Sequence, residues 1–367
     1  MQNDRVKVLA LSPIPEEGAG CRFRISQYVP HLREQGFDVD IKPFYTTSFF
    51  RTVYNRGRFV RKGIAFAGLV ARRARLLGEL DKYQLVFLYR EAIPAGPPWI
   101  EQAIARRGIP IVLDFDDAIF LPSVSEANRP LAFLKDSRRA DKVMALSTQI
   151  IVGNNYLADY ARRLNPAVTV VPTAVDTTRF VPRAAREPNG SRPLVVGWIG
   201  SPTTYHYLEA MHGLLSDVAT RLPFTLKVSG GGKPVRFEGV RTIDVPWSLQ
   251  HEVELFNTCD VGIYPLSDDD WSRGKCGFKA IQFMACGVPV VAAAVGVNRE
   301  IIRDGENGFL ATTPDEWRSK LERLLTDAPL RARFAAAGRQ TIEDRYSLRV
   351  TAPAVAHVMR KALVTTR

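Results

Sequence analysis

Short apolar runs alternate with longer amphipathic segments along most of the chain. Residues 6–12, VKVLALS, form a mainly apolar run, followed by a glycine-containing loop and a helical pattern that ends near Gly36. Further short apolar runs in the first half of the chain occupy residues 37–44, 83–91, 108–117, 148–155 and 168–176. Apolar strands separated by helices are typical of a parallel sheet that is covered on both faces. The first half therefore predicts an α/β domain with a doubly wound sheet.

The alternation stops at a polar segment and then starts again. Residues 177–193, TTRFVPRAAREPNGSRP, are rich in proline and arginine and are typical of a linker. After it, apolar runs occupy residues 194–201, 224–232, 240–246, 259–266 and 288–294. We predict two Rossmann-like domains in tandem, with an N-terminal domain over residues 1–176. Ligands of such folds bind at the carboxyl ends of the strands, in the cleft that two such domains enclose.

Length and composition agree with this division. A chain of 367 residues with 46% hydrophobic residues is long enough for two cores of ordinary size. The four cysteines include no close pair of the kind that binds metal or exchanges disulfides, so we expect reduced thiols. The start of the chain lacks the pattern of a signal peptide, and no apolar run is long enough to span a bilayer. These features favour a cytoplasmic protein.

Positive charge is concentrated in one segment. The formal net charge is +12, and residues 51–80 contain eight basic side chains and one acidic one, interleaved with apolar residues. This composition suits a helix that lies on an anionic membrane surface. It equally suits a solvated basic helix that packs its apolar stripe on its own domain, and nucleic acid is a third reading. The last reading is disfavoured because the chain contains no recognised base-reading module.

Glycine-containing loops follow several of the predicted strands. Gly18 and Gly20 come after the first strand, where a backbone without side chains would let a phosphate or sugar approach. No GxGxxG fingerprint is completed, because residue 23 is Phe. In the second domain, Gly200, Ser201, Thr203 and Thr204 lie between a strand and a helix, where ordinary N-capping is the alternative interpretation.

The segment GKCGFKAIQFMACGVPVVAA, residues 274–293, places a second loop before a helix and adds two cations, Lys275 and Lys279. The first N–H groups of a helix and its dipole favour an anion. Two helix N-termini in one cleft, together with two lysines, favour a diphosphate over a neutral ligand.

Several separated blocks resemble the retaining glycosyltransferases of family 4, which have the GT-B architecture. VVPTAVDTTRFVP is similar to their interdomain signature, and GFKAIQFMACGVPVVAAAVGVNREIIRDGENGFLA to their donor-site block. EWRSKLERLLTDAPLRARFAAAGRQTIEDRYSL is similar to their helical end. The resemblance implies a donor domain over residues 194–349 and a final helix, within 350–367, that returns to the N-terminal domain. It also implies a retaining transfer of sugar from a nucleotide diphosphate sugar, of the UDP or GDP type, without bound metal or other cofactor.

The resemblance also implies roles for individual residues. Backbone N–H groups near Cys276, Gly277 and Phe278 would hold the departing diphosphate, and Lys275 or Lys279 would offset its charge. Of the two glutamates usual in this block, the second falls on Gln282, which can still bond a ribose hydroxyl, and the first on Gly274, which cannot. One of the aspartates at 268–270 would replace it, unless they form only an acidic loop. The basic pair usual in the diphosphate pocket is absent from GSPTTYHYL.

The acceptor is expected on the N-terminal domain. The family often has a His at a strand end that faces the donor sugar, and Asp116 in IVLDFDD falls there. Its carboxylate would accept a hydrogen bond from the donor or act as a base, and the alternatives are helix capping or a pair with Arg90 or Arg129. Asp117, with Gly18 and Gly20, would contact the acceptor. Arg22 and Arg24 would bind an acceptor or lipid phosphate, or else pair with Glu16 or Glu17.

These assignments predict an enzyme of cell-surface polysaccharide, lipopolysaccharide or glycolipid assembly that uses a glycan or a lipid-linked acceptor. Contact with an anionic membrane through residues 51–80 would make it peripheral on the inner face of the cytoplasmic membrane. The main alternative is a non-catalytic scaffold that binds nucleotide sugar, because Gly274 replaces a glutamate. A nucleotide-sugar epimerase shares the two-domain plan, but the chain lacks a comparable His/Glu set.

Overall fold

The computed structural model describes residues 5–53, 57, 59–121, 138–183, 193–233 and 235–365. The chain divides into two compact units, Met1–Thr173 with Leu348–Arg367, and Ala174–Ser347. The sequence predicts that the first domain ends at residue 176 and that the returning helix begins at residue 350, each within three residues of these divisions. Residues 184–192 of the proposed linker, residues 54–56 and 58 of the basic segment, and Arg129 lie outside the described residues.

The first unit contains a six-stranded sheet in which every pair of neighbouring strands is parallel. Its order is β2-β1-β3-β4-β5-β6, and its strands are β1 (Val6–Ser12), β2 (Phe37–Pro43), β3 (Leu85–Tyr89), β4 (Ile111–Phe115), β5 (Gln149–Val152) and β6 (Val168–Val170). Every residue of β3, β4 and β5 is buried, as their apolar sequences require for strands covered on both faces.

Among the described residues, seven helices of this unit come before the second unit. They are α1 (Ala19–Arg24), α2 (Val29–Glu34), α3 (Thr47–Val53), α4 (Phe59–Arg75), α5 (Trp99–Arg106), α6 (Arg139–Leu146) and α7 (Asn155–Ala161), and 3-10 turns occupy Ser26–Tyr28 and Leu76–Lys82. The basic segment is therefore largely helical, as its pattern predicts. Arg73 of α4 is buried, whereas Phe59, Val60 and Ile64 are exposed.

The second unit repeats the plan with a sheet in the order β12-β11-β10-β7-β8-β9, again parallel throughout. Its strands are β7 (Leu194–Ile199), β8 (Phe224–Ser229), β9 (Arg241–Val245), β10 (Val261–Tyr264), β11 (Val290–Ala293) and β12 (Phe309–Ala311). Its helices are α8 (Tyr205–Glu209), α9 (His212–Arg221), α10 (Glu252–Asn257), α11 (Asp270–Arg273), α12 (Phe278–Ala285), α13 (Asn298–Ile301), α14 (Pro314–Thr326) and α15 (Ala328–Arg345). The predicted α/β fold with two parallel sheets is confirmed.

The last helix, α16 (Leu348–Thr365), belongs to the first unit. Its Thr351 accepts a hydrogen bond of 3.1 Å from the hydroxyl of Tyr28, and Arg360 bonds the Gln35 carbonyl at 3.0 Å. Val355 and Met359 are buried on the inner side of this helix. These contacts join the end of the chain to elements near its beginning.

All four cysteines are buried, and they are thiols rather than members of disulfides. Burial raises the pKa of both Cys259 and Cys286 to about 12, so these thiols stay protonated and unreactive near neutral pH. In the part of the chain that the structure describes, no helix has both the length and the apolar character needed to cross a membrane.

Candidate functional site

Asp116 lies directly after β4, where it accepts hydrogen bonds from two residues at the end of β3. The hydroxyl of Tyr89 donates to Oδ1 of Asp116 at 2.8 Å, and Nη2 of Arg90 donates to the same oxygen at 2.8 Å. Nη2 of Arg90 also donates to the carboxylate of Asp117. Because β3 and β4 are neighbouring parallel strands, their carboxyl ends bring these four side chains together. Of the alternatives for Asp116, the structure contains the pair with Arg90.

Electrostatics keep this carboxylate ionised. Burial alone would raise the pKa of Asp116, but the charges of Arg90 and Arg24, with hydrogen bonds from Arg90 and Tyr89, hold it below its usual range. Burial raises the pKa of Tyr89 well above its ordinary value, so the phenol stays protonated and donates a hydrogen bond to Asp116. The side chain of Asp116 is 18% exposed and can still receive a ligand. A carboxylate with a low pKa is a better hydrogen-bond acceptor than a base at neutral pH.

The backbone at Arg90 is unusual. Its φ is 58°, in the left-handed region that residues with a β-carbon seldom occupy. Its guanidinium is held by Asp116 and Asp117, and its N–H donates to the carbonyl of Asp114 at 2.8 Å. The ion pairs therefore coincide with a strained turn at the end of β3.

Arg24 and Asp114 form a buried ion pair beneath this cluster. Nε and Nη2 of Arg24 bond the two carboxylate oxygens of Asp114, each at 2.7 Å, and Nη1 bonds the carbonyl of Val171 at 3.1 Å. Burial would lower the pKa of Arg24, but the charge and hydrogen bonds of Asp114 outweigh it and raise the pKa. Arg24 is 1% exposed, so its guanidinium is occupied by the protein, and its partner is neither Glu16 nor Glu17.

The first glycine loop also has partners within the protein. Gly18 precedes α1, and Gly20 lies inside it, where a β-carbon would stand 2.2 Å from the hydroxyl of Tyr89. Residue 20 is therefore a glycine because the hydroxyl of Tyr89 occupies the space that a side chain would need. Arg22 donates from Nη1 to the backbone carbonyls of Glu16 at 2.7 Å and Glu17 at 3.2 Å, and these bonds fix the loop.

In the second unit, the loops after β7 and β8 pack together. A β-carbon at Gly230, whose φ is 81°, would stand 2.3 Å from the carbonyl oxygen of Gly200. The backbone N–H of Ser201 donates to Oγ1 of Thr204 at 3.0 Å, and the hydroxyls of Ser201 and Thr203 lie 2.8 Å apart. Thr204 makes no side-chain cap to α8, so its hydroxyl closes the loop rather than capping the helix.

The loop before α12 is shaped by two glycines. Gly277 is the N-cap of α12 with φ 63°, and a β-carbon there would stand 2.3 Å from Cδ1 of Ile301. Gly296, after β11, has φ 51° and lies against the backbone of Arg273. These close approaches lock residues 274–277 onto the segment that follows β11. A glycine N-cap has no side chain to occupy the start of α12, and such a helix start is suited to an anion.

The two lysines lie on either side of Gly277. The ammonium of Lys275 stands 5.4 Å from the ring centroid of Trp271, and that of Lys279 donates to Oε1 of Gln282 at 2.8 Å. Both side chains are partly exposed, as are Gly200 and Ser201, whereas Cys276 and Gly277 are buried. Gln282 is completely buried, and its Nε2 has no hydrogen-bond partner among the described residues. Contact between Gln282 and a ribose would therefore require this side chain to rearrange.

The aspartates at 268–270 have local partners. Asp268 and Asp270 pair with Arg273 at 2.8 and 3.5 Å, and Asp269 caps α11 by accepting from the Ser272 N–H at 2.7 Å. Among the residues the structure describes, no three His, Cys, Asp or Glu side chains are grouped so that they could hold a metal ion. Sequence reasoning placed Tyr89 inside a strand and gave it no role. The signal that could have identified Tyr89 is the polar pair Tyr89-Arg90 at the end of an otherwise apolar strand.

Comparison with known proteins gives the class. A sequence model described as Glycosyl transferases group 1 matches residues 193–327. The D-inositol 3-phosphate glycosyltransferase of Rhodococcus erythropolis is 28% identical over 98% of this chain and 92% of its own length. The enzyme of the same name from Stackebrandtia nassauensis is 31% identical over 53% of this chain, which spans only 50% of that relative. Anabaena HepE, solved with UDP-glucose, is 15% identical with a TM-score of 0.67, covering 97% and 100% of the two chains.

The two Rossmann-like units and the structural likeness define a GT-B fold. Within that class, the chain contains a glycosyl transferases group 1 domain over residues 193–327, and the predicted resemblance to this group is confirmed.

Proposed function

We propose that the protein is a retaining, metal-independent glycosyltransferase of family 4, which moves a sugar from a nucleoside diphosphate sugar to a glycan or lipid-linked acceptor. The observation that carries the proposal is that the matched domain contains α12, with its glycine N-cap and with Lys275 and Lys279 on either side. The complex of HepE with UDP-glucose supports a donor of the UDP type. The names of the two relatives support an acceptor that is a phosphorylated polyol.

In this proposal, the start of α12 and Lys275 stabilise negative charge on the diphosphate as the glycosidic bond breaks. Such groups act on charge that grows in the transition state, so they accelerate the reaction rather than only binding the donor. Ser201 and Thr203 would contact the donor from the loop after β7. Asp116 would orient a hydroxyl of the donor sugar or the acceptor, because its low pKa makes it a weak base.

A non-catalytic scaffold that binds nucleotide sugar is the second candidate. It is favoured by Gly274, which ends α11 and offers no carboxylate to a donor sugar, and by the complete burial of Gln282. Donor binding is common to both candidates. Only the formation of a glycosylated product distinguishes them.

The test is transfer of labelled sugar from a panel of UDP- and GDP-sugars to inositol phosphate, to a bacterial lipid extract and to a glycan extract. The enzyme proposal expects labelled product and release of nucleoside diphosphate, undiminished by EDTA. It also expects a large loss of rate in Lys275→Ala, while Arg323→Ala, an exposed position of the same unit, keeps the rate. Donor binding without product from any acceptor would favour the scaffold.

We also propose that α4 makes a peripheral contact with the cytoplasmic membrane surface, in a protein of polysaccharide, lipopolysaccharide or glycolipid assembly. Phe59, Val60 and Ile64 are 49%, 80% and 71% exposed, and Arg61 between them is also exposed. Cations and exposed apolar groups on one helix suit an anionic bilayer. Serine at the three apolar positions should reduce sedimentation with phosphatidylglycerol vesicles, whereas unchanged sedimentation would contradict the contact.

A further inference from the structure

A pocket of about 320 Å³ lies at the carboxyl ends of β1 and β2 in the first unit. Its lining includes none of the residues that the sequence assigned to the acceptor or the donor. The polar side chains along it, in the described part of the chain, are those of Lys42, Tyr45, Thr46, Thr47, Arg72 and Arg73. Three of these six are cations, and none is an acid.

Arg73 is the most unusual of them. It is 2% exposed, and Nη2 donates a long hydrogen bond of 3.4 Å to the carbonyl of Ser12. Nη1 is buried and has no hydrogen-bond partner among the residues that the structure describes. A buried charged donor without an acceptor is costly, so a side chain of this kind is typically kept where something else supplies the acceptor.

The neighbouring cations do not receive enough negative charge from the protein. Arg72 donates to the backbone carbonyls of Pro43, at 3.1 Å, and Phe44, which are neutral. Lys42 pairs with Asp40 at 3.0 Å, and both side chains are 42% exposed, so solvent screens that pair. The pKa of Arg73 is lowered to about 9. Burial is the largest cause and the positive charge of Arg72 is the second, while the negative charge of Glu101 acts in the opposite direction. The pocket is therefore strongly positive.

We propose that this pocket binds a phosphoryl group carried by the acceptor. The identification of the ligand as an acceptor rests on the proposed function, whereas the binding of a phosphoryl group does not. A phosphate monoester brings close to two negative charges and several acceptor oxygens, which match two guanidinium groups, an ammonium group and two threonine hydroxyls. A carboxylate brings one charge, which a single arginine already satisfies in its planar bidentate geometry.

The position of the pocket suits one end of an acceptor whose other end reaches Asp116. Both lie at the carboxyl edge of the same parallel sheet, where β3 lies between β1 and β4, and both β1 and β3 lie between β2, the strand of Lys42, and β4. Two to three strand spacings amount to about 10–15 Å. A phosphorylated acceptor that contacts both places must span a distance of this order. The phosphoryl group would then position the acceptor so that a hydroxyl meets the donor sugar near Asp116.

The experiment measures the binding of inorganic phosphate and pyrophosphate to the full-length protein by calorimetry and by melting temperature. Arg73→Met and Lys42→Ala should each weaken phosphate binding by about tenfold or more, since each removes a charged hydrogen-bond donor. The matched controls are Arg75→Ala, exposed two residues further along α4, and Lys82→Ala, an exposed lysine that pairs with Glu79. Both controls should bind phosphate as the wild type does.

Arg73→Met also separates a ligand-binding role from a structural one. Without phosphate it should melt at the wild-type temperature or above it, because the substitution removes a buried charge that lacks a full set of partners. Binding of UDP should be unchanged in Arg73→Met and lost in Lys275→Ala, so that failure of this inference is distinguishable from failure of the proposed function. Equal phosphate binding in wild type, Arg73→Met and Lys42→Ala would overturn the proposal.

Vesicles distinguish a lipid source of the phosphoryl group from a soluble one. Sedimentation with phosphatidic acid vesicles, but not phosphatidylcholine vesicles, that depends on Arg73 and Lys42 would assign the pocket to a lipid phosphate. Arg73-dependent binding of free phosphate without such sedimentation would assign it to a soluble phosphorylated acceptor. If neither phosphate nor vesicles respond to the two substitutions, the pocket is not a phosphoryl site.

Discussion

The hydroxyl of Tyr89 donates a hydrogen bond of 2.8 Å to Asp116, and the same hydroxyl stands where a side chain at residue 20 would be. One phenol therefore connects α1, β3 and the carboxylate after β4. Asp116 is held by partners on neighbouring elements, and its position is a consequence of the sheet order. Each of these contacts can be tested by a substitution whose expected sign is set by the geometry.

Asp116→Asn should lower the free energy of unfolding by about 1–3 kcal/mol, because Arg90 loses one of two carboxylates and a charge-assisted hydrogen bond becomes neutral. Denaturant titration at pH 7 measures the loss. Asp38→Asn, an exposed position on β2, is the control and should change stability little. Equal stability of Asp116→Asn and wild type would show that the carboxylate is not held by Arg90 in solution.

The difference between wild type and Asp116→Asn should depend on pH. The pKa of Asp116 is lower in the folded protein than in the unfolded chain, where it is near its usual value of 3.8. The carboxylate therefore contributes stability that is present above this unfolded-state pKa and is lost as the pH falls through the folded-state value. Denaturant titrations of the two proteins should converge as the pH is lowered below about 4. A difference that grows in acid would contradict the ion pair.

Arg90→Gly should be more stable than Arg90→Ala. Both substitutions remove the ion pairs, but only alanine keeps a β-carbon at φ 58°. The left-handed conformation favours glycine by about 1 kcal/mol, and paired denaturant titrations should show this difference. Outside the left-handed region alanine is normally the more stabilising residue of the two. A more stable Arg90→Ala would show that the turn does not have this conformation.

Gly20→Ala should destabilise the protein, although glycine to alanine inside a helix is usually stabilising. The new β-carbon would stand 2.2 Å from the Tyr89 hydroxyl, and overpacking of this kind costs about 1–3 kcal/mol. Gly18→Ala is the control, since its β-carbon would meet the flexible end of Ile14 and should cost less. Thermal unfolding of the two variants gives the comparison, and a stabilised Gly20→Ala would contradict the packing.

The sequence was sufficient for most of the fold but not for the site. Each run that we predicted as a strand contains a strand, and the apolar pattern is clearest in β3, β4 and β5, which are buried throughout. The edge strand β12, Phe309–Ala311, has three residues and gave no periodic signal. Arg24 and Asp114 are ninety residues apart, and Gly20 meets a side chain from another strand. Contacts of this kind depend on strand order, which local patterns do not contain.

The pocket at Arg73 illustrates the same limit. Its cations come from β2 and α4, whereas the basic composition of residues 51–80 suits a membrane-facing helix or a solvated helix and does not indicate a pocket. Which arginines of an amphipathic helix face inward is decided by the packing of that helix against the sheet. The sequence shows that this segment is basic, but it does not show which of its arginines face the sheet.

The most direct test of the nucleotide-sugar assignment is the melting temperature of the protein with UDP, GDP, ADP and CMP, with and without EDTA. We predict a selective rise with one nucleoside diphosphate, unaffected by EDTA, because a ligand that binds only the folded state stabilises it. The double variant Lys275→Ala/Lys279→Ala should show no such rise when its melting temperature with nucleotide is compared with its melting temperature without nucleotide. Arg323→Ala with Arg333→Ala, two exposed cations of the same unit, should keep it. No rise with any nucleotide, or the same rise in all three proteins, would contradict a diphosphate site at the start of α12.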